Sequence, residues 1–194
     1  MHSPAESEID PRPGVGNFRR DRFTAELALH HLATEQPDVL YVGLGEPDEY
    51  GHRDDYAGYL AALSYADAFV GRILDTLDHM GPRGSRTHVV VTADHGRARD
   101  FKGHGGAFPE SARVWLFAAG PSITARGLVA SSRERHLADV TPTLRSLVGL
   151  PQPRDRSHDR DLGWAGEPLT ELFPTSQAGA SPIAQATPVP PSPQ

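Results

Sequence analysis

Short continuous runs of apolar residues alternate along the chain with longer stretches in which apolar residues recur at helical spacing. Three runs are rich in apolar and β-branched residues and lie at residues 37–45 (PDVLYVGLG), 87–94 (THVVVTAD) and 112–120 (ARVWLFAAG). Runs of this kind are typical of strands buried on both faces of a parallel sheet. The pattern therefore predicts three strands.

Three helices are predicted around these strands. Apolar residues recur every three or four positions from Tyr56 to Leu77, with Asp54 or Asp55 placed to cap the start and Gly81 followed by Pro82 placed to end the helix. Residues 23–34 form an earlier helix, and residues 137–148 form a later one with a proline near its first turn. The order helix, strand, helix, strand, strand, helix is an α/β layout, and the length suits one domain.

The two ends of the chain differ from its middle. Residues 1–20 are polar and are expected to be irregular, whereas residues 174–194 have no charge and six prolines and are expected to be a disordered tail rich in proline, alanine and serine. The first residues contain no apolar run that could serve as a signal peptide or a membrane span, and the cellular location is left open.

Charge and cysteine content exclude two kinds of chemistry. The formal net charge of -6 provides no basic surface of the kind that nucleic-acid binding requires. The chain has no cysteine, which excludes disulfides and thiolate metal sites.

Residues of the types that bind metal follow the predicted strands. Asp48 and His52 come after the first strand, Asp94 and His95 end the second, and His104 lies in a glycine-rich loop nine residues beyond His95. Because ligands bind at the carboxyl ends of parallel strands, we expect these five side chains to converge. Carboxylates mixed with imidazoles suit zinc, manganese or iron, whereas oxygen-only sets suit calcium or magnesium. Taken singly, each residue is more often a loop cap or a satisfied polar group than a metal ligand.

Six motifs follow one another in an order that resembles a known family: PDEYGH, ADAFVGRIL, VVVTADHG, GHGG, WLFAAGPSI and LADVTPTL. Over residues 21–173 the chain resembles the carboxyl-terminal part of the catalytic domain of the alkaline phosphatase superfamily, in the branch of type I phosphodiesterases, nucleotide pyrophosphatases and sulfatase-like hydrolases. The ending GEPLTELF is similar to the closing segment of those domains. The resemblance implies a three-layer αβα sandwich with a mostly parallel sheet, here incomplete at its amino terminus.

The resemblance also implies roles for the five residues. Asp48, His52 and His104 match the first metal site of the family, and Asp94 and His95 match the second. The expected cofactors are two divalent ions, zinc or alternatively manganese, which would hold the phosphate or sulfate ester of a small-molecule substrate. Asp67, on the long helix, is a candidate to orient an imidazole ligand, and is equally well explained as a loop cap.

The family's nucleophilic serine or threonine comes from a segment upstream of the metal ligands. Only 47 residues precede Asp48, and no serine or threonine among them stands at a strand end entering a helix, so the nucleophile is assigned to no residue. A separate amino-terminal half is therefore an expected partner. Complete relatives are expected to be periplasmic or secreted.

Three functions stay open at this point. The first is a metal-dependent hydrolase of phosphate mono- or diesters that is inactive without its amino-terminal half. The second is a sulfatase or a phosphosugar mutase of the same superfamily, since TADHG also resembles the mutase motif. The third is a non-catalytic metal-binding remnant. An iron oxygenase with two histidines and one carboxylate is disfavoured by the α/β pattern.

Overall fold

The computed structural model describes residues 9–12, 16–129, 133–152 and 166–174. The tail predicted beyond Pro174 lies outside these residues. The helices and strands, in chain order, are β1 (Ile9–Arg12), β2 (Gly16–Arg19), α1 (Asp21–Glu35), α2 (Glu46–His52), α3 (Tyr56–His79), β3 (Val89–Thr92), β4 (Leu116–Ala119) and α4 (Val140–Leu147). No helix in the described part of the chain is long and apolar enough to cross a membrane.

The chain divides into two compact units. The first comprises Met1–Thr87 and Val91–Leu116, and the second comprises His88–Val90 and Phe117–Gln194. All five residues proposed as metal ligands belong to the first unit. The two units are described separately below.

The core of the first unit lies between α1 and α3. Small and aliphatic side chains of α1 (Ala25, Ala28 and Leu29) bury themselves against Phe69 of α3. Because the alanines are small, the two helices approach closely around the aromatic ring. Outside this core, Arg72 of α3 forms a paired hydrogen bond with the Glu26 carboxylate of α1, at 2.5 and 3.0 Å.

The start and end of α3 agree with the sequence prediction. The Asp55 carboxylate accepts a hydrogen bond of 2.8 Å from the backbone N–H of Gly58, so Asp55 is the cap of the two residues that the sequence offered, Asp54 and Asp55. The helix ends at His79, and Gly81 follows with a φ of 57° that favours glycine. The predicted helix at residues 23–34 is also confirmed, as α1.

The predicted strand at residues 37–45 is wrong. This segment forms no strand, and the described residues contain only two-stranded sheets, β1 with β2 and β3 with β4. Its side chains still alternate as in a strand: Val42 and Leu44 pack against the core, whereas Val39 and Tyr41 are 69% and 91% exposed. A strand is defined by hydrogen bonds to a neighbouring strand, and none of the described residues provides that neighbour here.

The amino-terminal segment is less irregular than the sequence indicates. β1 and β2 pair antiparallel, with Ile9 opposite Arg19 and Arg12 opposite Gly16. A proline, Pro11, lies within β1 and is tolerated because a two-stranded hairpin has free edges.

In the second unit, α4 holds the closing segment of the described chain. The buried Asp139 carboxylate accepts hydrogen bonds from the backbone N–H groups of His136 and Glu167, at 3.1 and 2.7 Å. The hydroxyl of Thr143 accepts a further bond, of 2.9 Å, from the N–H of Leu169. Two motifs of the resemblance, LADVTPTL and GEPLTELF, therefore contact each other. The predicted helix at 137–148 is confirmed, with a 3-10 turn at Leu137–Asp139 before α4.

We predict that Phe69→Ala lowers the free energy of unfolding by about 3 to 5 kcal/mol, because the deleted ring leaves a cavity between α1 and α3. Leu60→Ala is the matched control on the same helix, since Leu60 is 45% exposed, and should cost under about 1 kcal/mol. Urea unfolding followed by circular dichroism measures both. Equal losses in the two variants would contradict the assigned core.

Candidate metal centre

The first ligand-bearing element is α2, a short helix that the apolar periodicity does not predict. Its start is held by Asp21, the first residue of α1, whose side chain accepts hydrogen bonds from the backbone N–H groups of Gly45 (2.8 Å) and Glu46 (3.0 Å). These bonds satisfy two donors that the start of a helix otherwise leaves unpaired. The helix places Asp48 and His52, four residues apart, on one face.

Asp21 is only 2% exposed. Burial raises the pKa of its carboxyl group, while the hydrogen bonds from Gly45 and Glu46 oppose that shift. A carboxylate at the amino-terminal end of a helix is also favoured by the helix dipole. Sequence analysis missed this residue because its partners lie 24 and 25 positions away.

The second ligand-bearing element is the turn after β3. The Nδ1 atom of His95 lies 2.9 Å from the carbonyl oxygen of Gly96, which fixes the ring so that Nε2 is the free ligand atom. A side chain on Gly96 would meet the carbonyl oxygens of Arg113 and Glu110 at 2.6 and 3.0 Å. The glycine of the DHG motif is therefore required by close backbone packing.

The third element is the loop that carries His104. The buried Ser111 hydroxyl accepts a hydrogen bond of 2.9 Å from the N–H of Gly105 and lies 2.7 Å from the carbonyl oxygen of Phe108. Gly105 has a φ of 101°, a conformation that side chains rarely adopt. The GHGG stretch is thus held next to the short helix Pro109–Ala112.

The three elements bring one carboxylate and three imidazoles together. Oδ1 of Asp48 lies 3.8 Å from Nε2 of His95 and 3.7 Å from Nε2 of His104. Oδ2 of Asp48 lies 3.1 Å from Nε2 of His52, which is in turn 3.0 Å from Nε2 of His104. Ligand atoms around one tetrahedral zinc ion are separated by about 3.4 Å, from metal–ligand bonds of about 2.1 Å. The observed spacings therefore fit a divalent metal ion.

Three residues of this cluster can each offer one ligand atom to a single ion. Among the described residues, Asp48, His95 and His104 have ligand atoms that all lie within 4.8 Å of one another. Asp48 and His104 also contact His52. These two residues therefore belong to two overlapping candidate ligand groups, one with His95 and one with His52. The division into two separate metal sites stays a prediction.

Asp94 lies at the edge of the cluster, and Asp67 lies on α3. The Asp94 side chain is 88% exposed, and its carboxylate lies 3.6 Å from Nε2 of His95. It joins the group through that histidine alone. Asp67 is exposed on α3, and the acceptor that orients His95 is the Gly96 carbonyl instead.

The surroundings of His104 favour its neutral form. The rings of His95 and His104 stack with centroids 3.8 Å apart. Burial lowers the pKa of His104, the nearby His95, His52 and Arg97 lower it further, and Asp48 opposes them. A neutral imidazole has the lone pair that a metal ligand needs.

The serine and threonine hydroxyls nearest this cluster in the sequence, those of Thr92 and Ser111, are engaged elsewhere. Thr92 donates to the carbonyl oxygen of Trp115 at 2.7 Å, and Ser111 bonds to the backbone of the GHGG loop. Neither hydroxyl is directed at the cluster, and the nucleophile stays unassigned.

Comparison with known proteins identifies the family. The model of the Metalloenzyme superfamily matches residues 18–152, which include every residue of the cluster. No solved structure gives a significant match. The resemblance drawn from the motifs is confirmed at the level of the superfamily.

The curated relatives are 2,3-bisphosphoglycerate-independent phosphoglycerate mutases. The protein of Haloarcula marismortui is 29% identical over 76% of this chain and 26% of its own length. The protein of Haloquadratum walsbyi is 30% identical over 79% of this chain and 29% of its own, and that of Prochlorococcus marinus is 32% identical over 79% and 30%. The chain thus spans less than a third of the length of these relatives. They are mutases, so the hydrolase hypothesis gains no support from them.

We predict that Asp21→Ala destabilises the protein by about 2 to 4 kcal/mol, because two backbone donors at the start of α2 lose their acceptor. Asp38→Ala is the matched control, because the Asp38 side chain is 93% exposed and pairs only with Arg83 among the contacts described. It should cost under about 0.5 kcal/mol. Urea unfolding compares the two. A loss for Asp21→Ala no larger than that of the control would show that α2 does not depend on this cap.

Proposed function

The chain belongs to the alkaline phosphatase-like Metalloenzyme superfamily, and from that premise we propose that it provides the metal-binding part of a phosphoglycerate mutase-type phosphotransferase. The observation that carries the proposal is the convergence of Asp48, His95 and His104, with His52 beside them. The names of the relatives supply the reaction class and the substrate class. The mutase alternative therefore replaces the hydrolase as the preferred hypothesis.

The residues of the cluster have separable tasks in this proposal. Asp48, His52 and His104 would hold one divalent ion, and Asp94 and His95 would contribute to a second. Zinc or manganese suits a set of imidazoles and carboxylates. A bound divalent ion would supply a positive centre that orients a phosphate group and stabilises its transfer. The side chains of His52, His95 and His104 are 24% to 35% exposed, so a small substrate could approach them.

The nucleophile and the remaining ligands would come from another polypeptide segment, either elsewhere in a longer protein or on a separate chain. Two observations support this. The chain spans 26% to 30% of the length of the relatives described above. Residues 37–45 keep a strand-like alternation, and their outward side chains, Val39 and Tyr41, are left largely exposed. A completed parallel sheet of the three-layer αβα type would cover this segment.

The first prediction from this proposal concerns metal binding. The full 194-residue chain should bind at least one zinc or manganese ion. His104→Ala should weaken this binding at least tenfold, because His104 belongs to both candidate ligand groups. His31→Ala, at an exposed position of α1, is the control and should leave binding unchanged. Affinity should fall as the pH drops below about 6, since protons compete for the imidazoles. Isothermal titration calorimetry gives the affinities.

If the His104→Ala variant binds metal as tightly as the parent chain, the proposed centre is wrong. If both variants lose binding equally, the loss reflects general damage to histidine-containing surfaces and the assignment also fails.

The second prediction concerns activity. The chain alone should not interconvert the phosphoglycerate isomers at an enzyme-like rate, because the hydroxyls of Thr92 and Ser111 are engaged with backbone carbonyls and no nucleophile is assigned among the described residues. Mixing with the separately expressed amino-terminal part of the Haloarcula marismortui relative should produce activity that Asp94→Ala abolishes. Phosphorus NMR follows the isomers. Rapid conversion by the chain alone would contradict the missing-nucleophile argument, and no activity on mixing would favour a non-catalytic metal-binding role.

A further inference from the structure

The guanidinium group of an arginine side chain, Arg97, lies in the centre described above. Arg97 directly follows the DHG motif, and its side chain is only 11% exposed. Its Nη1 atom donates to Oδ1 of Asp48, the same oxygen that faces His95 and His104. The guanidinium group therefore contacts the carboxylate that all three imidazoles surround.

The other donors of Arg97 are fixed to the loop that leads to His104. Nε donates to the carbonyl oxygen of Phe101 at 2.5 Å, and Nη2 donates to that of Lys102 at 2.9 Å. Three separate nitrogen atoms thus have three separate acceptors. The side chain joins α2 to the loop between the DHG and GHGG motifs.

The surrounding structure makes room for this group. A side chain on Gly51 of α2 would lie 2.3 Å from the guanidinium carbon of Arg97. Gly51 is buried and lies between Tyr50 and the ligand His52. The helix therefore accommodates the arginine at the cost of a residue with low helix propensity.

The loop that Arg97 contacts is itself held in place around Phe101. The Phe101 ring lies 5.4 Å from the guanidinium carbon and meets the edges or faces of Tyr56 and Tyr59 at 5.4 and 5.1 Å. Phe101 has a φ of 66°, and the N–H of Ala98 closes the loop on the carbonyl oxygen of Gly103 at 2.8 Å. A phenylalanine with positive φ is strained, and it persists only where its surroundings fix it.

We propose that Arg97 is a positioning residue that fixes Asp48 and the His104 loop relative to each other in the arrangement that binds metal. The inference rests on the proposed function, because it assigns the metal centre a residue that is not itself a ligand. A carboxylate oxygen has two lone pairs, so Asp48 can accept from Arg97 and still bind a metal. The ligating carboxylate is then oriented by a hydrogen bond of its own, as metal ligands commonly are.

The planar fork of arginine is essential to this role. A lysine would keep the positive charge, but a single ammonium nitrogen cannot replace three nitrogen atoms that point to acceptors on two elements. The alternative is that Arg97 competes with the metal for Asp48. The two possibilities predict opposite effects of removing the side chain.

The test compares three variants of the full chain: Arg97→Ala, Arg97→Lys and Arg99→Ala. Arg99 is the matched control because it lies two residues away, is 89% exposed and pairs with Glu110. Cobalt is the probe, since its visible absorption reports both affinity and coordination. Arg97→Ala should weaken cobalt binding about 10- to 100-fold and change the spectrum. Arg97→Lys should not restore the parent affinity, and Arg99→Ala should bind within about twofold of the parent.

Tighter or unchanged cobalt binding by Arg97→Ala would overturn the proposal, the former in favour of competition. Full rescue by Arg97→Lys would show that charge alone matters. If the parent chain binds no cobalt, the proposed metal centre fails, and hydrogen exchange of the metal-free protein decides the role of Arg97 separately. The Ala98 and Phe101 amides, bonded to Gly103 and Ala98, should exchange faster in both Arg97 variants than in Arg99→Ala, and unchanged rates would overturn the inference.

Discussion

The hydrogen bonds that the Asp21 carboxylate accepts from the start of α2 are the interaction on which the rest of the centre depends. The core between α1 and α3 fixes α1, and the first residue of α1 fixes the start of α2. A buried carboxylate is costly unless it is well paired. Two backbone donors and the helix dipole supply that pairing here. The packing of α1 therefore fixes the position of Asp48 and His52, although neither residue belongs to that helix.

Asp48 is the common point of the cluster. Its two oxygens face three imidazoles and one guanidinium group, so a single negative charge is shared among groups that are potential cations or ligands. Protonating all three histidines would place several positive charges around one carboxylate. Burial lowers the pKa of His104, and the neighbouring His95, His52 and Arg97 lower it further. A divalent ion would gather the same side chains without protonating them, which is why the arrangement suits a metal.

The sequence predicted the features that depend on local chemistry. Apolar periodicity identified α1 and α3, and residue type narrowed the cap of α3 to Asp54 or Asp55 and supplied the five candidate ligands. It failed where structure depends on a distant partner. α2 contains Pro47 and Gly51 and has no apolar stripe, and it forms because Asp21 caps it. Residues 37–45 have the composition of a strand, but a strand needs a neighbour that composition cannot supply. Arg97 was overlooked because its acceptors emerge only when α2 and the loop meet.

The distribution of these features along the chain bears on how the function is divided. Every candidate ligand lies between residues 48 and 104, and their supports, Asp21, Gly96, Arg97 and Ser111, lie within the same unit. In the proposed function, the three ligands of the first ion, Asp48, His52 and His104, all come from this chain. The nucleophile and the remaining ligands of the second ion would come from another segment, because the hydroxyls of Thr92 and Ser111 are committed to backbone carbonyls. Binding of the first ion and catalysis are then separable steps that different experiments can address.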